Sequence, residues 1–225
     1  MGEALGVVLP LAVAVAVFPI PIIAVVLMVG SDRGRVKGLA FVLAWCVGLA
    51  VVGGIALALA EGADAGDGDE PATWVAVLLL AGGLVLFAAA VSQWRGRPRA
   101  DEEMPMPGWM RTIEDFTATK AGASGFALSA LNPKNALLVV AAAVEIAAFG
   151  LPASQEITVL LAWVLIASFG VLTPLVLALA VGDRSQAPLD SLRAWMARHS
   201  GAIMAALFLV IGAKLIGDAM ALFSG

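Results

Sequence analysis

The chain has 225 residues, of which 61% are hydrophobic and 13% are charged, and its mean hydropathy is +0.99. A soluble domain carries roughly 25% charged residues and leaves about a third of its unfolded surface in water. The composition therefore predicts an integral membrane protein and excludes a disordered chain, a disulfide-rich secreted module and an ordinary cytosolic enzyme. The net charge of −4 argues against a nucleic-acid partner, and the single histidine argues against a histidine-based metal site.

Six apolar stretches predict six transmembrane helices. Each is longer than the roughly 20 residues that cross the hydrocarbon layer of a bilayer. Each must be helical because lipid offers no partner to exposed backbone groups. The stretches are Ala4–Gly30, Val36–Leu59, Thr73–Trp94, Gly122–Phe149, Ile157–Val181 and Gly201–Phe223. The predicted fold class is therefore an all-α integral membrane protein with six spans.

The distribution of lysine and arginine predicts the orientation of the spans. The first, third and fifth loops carry three, five and three basic residues, whereas the second and fourth loops carry none. Basic loops stay on the cytoplasmic side. We therefore expect a multi-pass protein of the cytoplasmic (inner) membrane with both termini on the extracytoplasmic side.

Six spans divide into two halves of three helices, and an odd number of helices makes the second half run inverted relative to the first. Inverted repeats of this kind are common in small transporters. We predict one membrane domain over residues 1–225, with a first three-helix repeat at 1–94 and a second at 122–225. Residues 95–121 form the predicted cytoplasmic linker, which contains an amphipathic segment.

Prolines interrupt the first helix of each half. Pro19 and Pro21 lie in the first span, and Pro133 lies in the fourth. A proline has no N–H and clashes with the carbonyl four residues earlier, so both helices should break there. The carbonyls expected to lose their helical partners are those of Val15, Val17 and Ser129. Both breaks fall near the middle of the bilayer, and paired interrupted helices in corresponding positions indicate a transport site.

The second break carries most of the chemistry, in the segment Asn132-Pro133-Lys134-Asn135. A helix that begins at a proline presents a positive dipole end, which attracts anions, and Lys134 adds a formal charge. A charge at that depth costs about 2.5–3.5 kcal/mol, so the ammonium needs a carboxylate, freed carbonyls or an anionic ligand. The alternative is a plain proline kink with a snorkelling lysine. The candidate substrate-binding residues are Pro19, Pro21, Asn132, Pro133, Lys134 and Asn135.

Five further polar residues inside the spans are candidates for a coupling group or a transport path: Glu145, Ser168, Thr173, Lys214 and Asp218. Glu145 lies on roughly the same helix face as Lys134 and is either an interfacial acid or part of the path. Lys214 and Asp218 are spaced i, i+4 and form either a structural ion pair or part of the path. The two hydroxyls lie near Pro174, where a plain kink is the alternative interpretation.

Two stretches resemble the signatures of a known family. Pro19–Ala24, followed by the short basic loop Ser31–Lys37 and then by Phe41–Gly48 with Trp45, is similar to the opening of the GAP-like proteins, also called sulfolipid- and glycopeptidolipid-addressing (Sap) proteins. Leu131–Leu137 resembles their second signature, and the broader lysine-exporter (LysE) superfamily has a similar Asn-Pro-Lys segment. The resemblance implies a small protein of the actinobacterial envelope that helps to move lipids or glycolipids outward. The matching positions are Pro19, Pro21, Asn132, Pro133 and Lys134, whereas Phe18 stands where the family pattern leads us to expect a small polar residue.

The leading functional expectation is a flippase-like or exporter-like transporter of a lipid with an anionic, phosphate-type head group. The alternatives are a LysE-like exporter of a small solute such as an amino acid, and a scaffold for a lipid-export machine. A metal-ion exporter is disfavoured because the span cores lack a carboxylate cluster. An enzyme is disfavoured because no nucleophile–base pair has a useful spacing. The expected partners are membrane lipids, with a second copy of the chain and lipid-synthesis or export proteins as further candidates; no cofactor is expected.

Overall fold

Helices are the only regular structure in the residues that the computed structural model describes, namely 1–64, 73–96, 112–113 and 115–224. The α-helices are α1 (Gly2–Ala16), α2 (Pro19–Val29), α3 (Gly34–Asp64), α4 (Thr73–Arg95), α5 (Ala118–Phe126), α6 (Pro133–Ala147), α7 (Ala153–Ala167), α8 (Phe169–Val181) and α9 (Gln186–Ser224). A π-helix at Ala127–Leu131 joins α5 to the break before α6, and a 3₁₀ turn at Gly182–Ser185 precedes α9. The all-α class is confirmed for these residues, and most of the predicted linker lies outside them.

Helices that are long and apolar enough to cross a bilayer are either single unbroken helices or bent pairs of helices. Helices α3 and α9 each pass the length and hydropathy criteria alone, over Gly34–Ala60 and Gln186–Phe223. Three further pairs pass together but are bent: α1 and α2 by 53°, the α5 segment and α6 by 58°, and α7 and α8 by 61°. Up to five spans follow by length and composition, and Leu79–Arg95 of α4 is a shorter apolar helix. The protein is therefore membrane-embedded, and the count of six spans and the inverted repeat stay predictions.

The chain divides into two compact units. Unit 1 contains Met1–Ala60 and Glu103–Ala197, and unit 2 contains Glu61–Glu102 and Arg198–Gly225. All of the residues at the proline breaks belong to unit 1, whereas Lys214 and Asp218 belong to unit 2.

Small residues let helices of unit 1 approach at backbone distance. A Cβ on Gly125 of α5 would overlap the carbonyl of Phe41 in α3, and a Cβ on Gly170 of α8 would overlap the carbonyl of Ala16. Such positions are the usual means of close helix packing in lipid, where packing replaces the hydrophobic effect. The indole of Trp163, which is fully buried, donates to the carbonyl of Val8 at 3.0 Å and fastens α7 to α1.

Unit 2 is held by a similar contact between α4 and the second part of α9. A Cβ added to Gly83 would lie 2.9 Å from the carbonyl oxygen of Gly212. A Cβ added to Gly212 would lie 2.9 Å from the carbonyl oxygen of Gly83. Nearby on α9, Lys214 Nζ donates to Asp218 Oδ2 at 2.8 Å. The i, i+4 pair expected from the sequence therefore forms.

Candidate functional site

The first break, between α1 and α2, leaves a backbone carbonyl facing the interior of unit 1. Phe18 is extended (φ −65°, ψ 117°) because a residue before a proline avoids helical geometry, and Pro19 then begins α2. The N–H of Phe18 donates to Val15 at 3.2 Å, although in a continuous helix its acceptor would be Ala14. The sequence predicts that the Val15 carbonyl loses its partner; the tightened last turn leaves the Ala14 carbonyl available instead.

The second break begins with a capped helix. Asn132 is extended (φ −76°, ψ 117°), and its side-chain oxygen accepts from the N–H of Lys134 at 3.1 Å, which makes it the N-cap of α6. Pro133 has no N–H, and the N–H of Ala136 donates to the Asn132 carbonyl at 2.9 Å. At this helix end Pro133 thus offers no N–H, and the N–H of Lys134 is already paired with the cap. The attraction for an anion at this break therefore rests more on the Lys134 ammonium than on the helix end.

The π-helix before the second break shifts the position of the freed carbonyl. A π-helix pairs each carbonyl with the N–H five residues on, and for Leu128 that residue is Pro133, which has none. The side-chain nitrogen of Asn135 takes its place and donates to the Leu128 carbonyl at 2.9 Å. An α-helical spacing predicts that the Ser129 carbonyl, one residue away, is freed instead.

The ammonium of Lys134 joins the second break to the first. Its Nζ lies 3.5 Å from the carbonyl oxygen of Ala14 and 3.9 Å from the ring centroid of Phe18. Both contacts suit a cation, because Ala14 lies near the negative dipole end of α1 and the ring presents a negative face. The expected partner among the freed carbonyls is thus present, although it is not one of those named from the sequence. Phe18, which stands out in the sequence only as a departure from the family pattern, forms part of the site.

A third break separates α7 from α8 at Ser168. The Ser168 hydroxyl donates to the carbonyl of Val164 at 2.7 Å, a back-bond that commonly bends helices. The sequence allows a plain kink at Pro174, but that proline lies inside α8 and the 61° bend precedes it. The hydroxyl of Thr173 donates to the carbonyl of Phe169 at 2.8 Å on an exposed part of α8.

Short contacts gather the three breaks within unit 1, around the end of α1 and the middle of α3. The thiol of Cys46 donates to the Ser168 hydroxyl at 3.3 Å. A Cβ on Gly48 would overlap the Ser129 hydroxyl, and one on Gly170 would overlap the Ala16 carbonyl. The site is therefore a junction of three interrupted helix pairs. We call it the three-break junction and define it by Ala14, Phe18, Cys46, Ser129, Asn132, Lys134, Asn135 and Ser168.

Two carboxylates lie apart from the junction in the direction of the α6–α7 turn. Glu145 is half-buried in α6, about 16 Å along the helix from Lys134. Glu156 is 2% exposed in the first turn of α7 and was not identified from the sequence, since it precedes the predicted fifth span. Its spacing of seven residues from the buried Trp163 is the signal that places it on the inward face. Among the described residues no group of three or more His, Cys, Asp and Glu side chains could hold a metal ion.

Comparison with known proteins gives one match. The family model SfLAP, described as Sap, sulfolipid-1-addressing protein, matches residues 8–221. No curated protein matches the chain, and neither does any solved structure.

Proposed function

Because the chain belongs to the Sap, sulfolipid-1-addressing protein family, we propose that it is a flippase-like or exporter-like transporter. Its cargo would be a lipid or glycolipid with an anionic, phosphate-type head group, moved across the cytoplasmic membrane. The family name refers to a sulfolipid, and a sulfate or phosphate ester on a head group is the kind of charge that a lysine attracts.

The position of the Lys134 ammonium is the observation that carries this proposal. The sequence predicts that Lys134 lies near the middle of the bilayer, where a lysine is costly, and residues of this kind usually mark a substrate path. The contact with the Ala14 carbonyl, at 3.5 Å, is longer than an ordinary hydrogen bond. An anionic oxygen forms shorter and roughly twice as strong charge-assisted bonds with an ammonium. An anionic head group would therefore bind Lys134 more strongly than the Ala14 carbonyl does.

A lipid cargo fits the scarcity of polar groups in the spans. The tail of a lipid stays in the bilayer, so that only the head group needs a polar path. In this proposal the two inverted three-helix halves place the broken helices on either side of that path, with both termini outside the cell. Glu145 and Asp218 are the candidate groups for coupling to a proton gradient.

Lipid transfer in reconstituted vesicles tests the proposal. Purified protein is inserted into vesicles that carry a fluorescent phosphatidylglycerol, and the label in the outer leaflet is bleached with dithionite. Lys134→Ala should abolish the protein-dependent transfer, while Lys134→Arg should retain part of it because the positive charge remains. Lys120→Ala is the matched control, because this lysine is exposed at the start of α5. Unchanged transfer by a folded Lys134→Ala protein would reject the proposed role.

The same vesicles distinguish the alternatives. Efflux of amino acids by the purified protein, without lipid transfer, would favour the LysE-like solute exporter. Lipid transfer that appears only after addition of a partner protein would favour the scaffold.

A further inference from the structure

The side-chain amide of Asn135 has a fixed orientation. Its nitrogen donates to the Leu128 carbonyl at 2.9 Å, where the backbone of Pro133 offers no donor. The nitrogen and oxygen of an amide lie on opposite sides of the group, and only the oxygen accepts hydrogen bonds. The side-chain oxygen of Asn135 is thereby directed away from the Leu128 carbonyl and presents an acceptor alone.

This oxygen has no hydrogen-bond partner among the described residues, and Asn135 is fully buried. Most buried polar side-chain atoms in proteins do have a partner, so that each exception calls for an explanation. The neighbouring hydroxyl of Ser129, also fully buried, donates to the Phe126 carbonyl at 3.0 Å. The Ser129 hydroxyl and the Asn132 side-chain oxygen at this break are therefore paired, whereas the Asn135 oxygen is not.

Asn135 directly follows Lys134 in the first turn of α6, and adjacent Cα atoms are about 3.8 Å apart. Both residues belong to the three-break junction, so that a head group bound by Lys134 is held at the same break as Asn135. Because Asn135 is fully buried, its oxygen meets a head group only after the packing around it opens. The partner must donate a hydrogen bond, and a cationic donor is disfavoured by the adjacent ammonium of Lys134. A neutral hydroxyl meets both conditions.

We propose that the side-chain oxygen of Asn135 is a specificity-determining acceptor, which selects anionic head groups that carry a hydroxyl near the charge. This inference rests on the proposed transport function and adds a second requirement to it. Lys134 recognises the negative charge, and Asn135 recognises the hydroxyl. A cargo without hydroxyls leaves this buried acceptor unpaired. The protein should therefore discriminate strongly against such a cargo.

Two lipids with the same charge provide the test. Phosphatidylglycerol and phosphatidylethanol both carry one phosphodiester charge, but only the glycerol head group bears hydroxyls. The wild-type protein should transfer phosphatidylglycerol at least about tenfold faster than phosphatidylethanol in the vesicle assay. Equal transfer of both lipids would overturn the inference and leave the transport function standing. Transfer of neither lipid would count against the proposed function itself.

Variants of Asn135 and Asn132 test whether the preference for phosphatidylglycerol depends on the Asn135 oxygen. Asn135→Ala should reduce the ratio between the two lipids to near one. Asn132→Ala is the matched control, because the Asn132 oxygen already accepts from the N–H of Lys134; it should slow both lipids equally and preserve the ratio. A preserved ratio in Asn135→Ala would contradict the assignment. If this variant fails to fold, equal transfer of the two lipids by the wild type still overturns the inference.

Discussion

Phe18 and Lys134 should be energetically coupled across two separate helix breaks. The ammonium lies 3.9 Å from the ring centroid, and Phe18 is 5% exposed, so the contact is withdrawn from solvent. A desolvated cation–π contact contributes about 2 kcal/mol, against 0.5–1 kcal/mol for an exposed one. The contact between Lys134 and the Ala14 carbonyl does not involve the ring, so it cancels in a cycle that varies Phe18. We expect a coupling free energy of about 1–2 kcal/mol between the two side chains.

A double-mutant cycle measures this coupling. The free energy of unfolding is determined in bicelles by steric trapping for the wild type, Phe18→Leu, Lys134→Met and the double variant. The control cycle combines Lys134→Met with Phe169→Leu in place of Phe18→Leu. The ring of Phe169 is 68% exposed on α8. The control should be additive within about 0.3–0.5 kcal/mol. If the coupling of Phe18 to Lys134 is no larger than that of the control, the ammonium does not bridge the breaks and the reasoning fails.

Two further predictions concern stability. Gly125→Ala and Gly170→Ala should each lower the free energy of unfolding by about 1–3 kcal/mol, because the new methyl groups overlap backbone carbonyls of neighbouring helices. Gly54→Ala in α3 is the control, because a Cβ at Gly54 would meet no atom within 4 Å, and this substitution should be neutral or slightly stabilising. Equal melting temperatures for all three variants would contradict this explanation. Asn132→Ala should cost about 1 kcal/mol, because the N–H of Lys134 loses its cap, and Asn132→Asp should restore most of the loss. An alanine variant that unfolds at the same denaturant concentration as the wild type would show that the cap contributes nothing.

The breaks at Pro19 and Pro133 could be predicted because their cause is local. A proline lacks the N–H and excludes the preceding residue from helical geometry, whatever surrounds it. Which carbonyls are freed was less predictable. The last turn of α1 tightens and the turn before Pro133 widens into a π-helix, so that Ala14 and Leu128 acquire the side-chain donors. Such adjustments of one residue depend on which donors the neighbouring helices can supply.

The bend in the fifth predicted span shows the limit of local reasoning. Pro174 lies inside α8, where its missing N–H leaves one backbone carbonyl of the helix without its usual donor. The chain bends instead at Ser168, where Gly170 packs on the end of α1 and Cys46 reaches the hydroxyl. These are contacts between segments far apart in the sequence, and no periodicity within the span predicts them.

The sequence by itself determined the membrane class, the helical state and the two proline breaks, since hydropathy, backbone hydrogen bonding and proline sterics act over a few residues or over the whole composition. The tertiary structure alone decided that Lys134 of one break lies against Phe18 of the other, and that the oxygen of Asn135 is buried without a partner. The physical reason is that both facts depend on side chains more than a hundred residues apart or on the exact turn geometry around them. In lipid that geometry is set by close packing, which hydropathy does not encode.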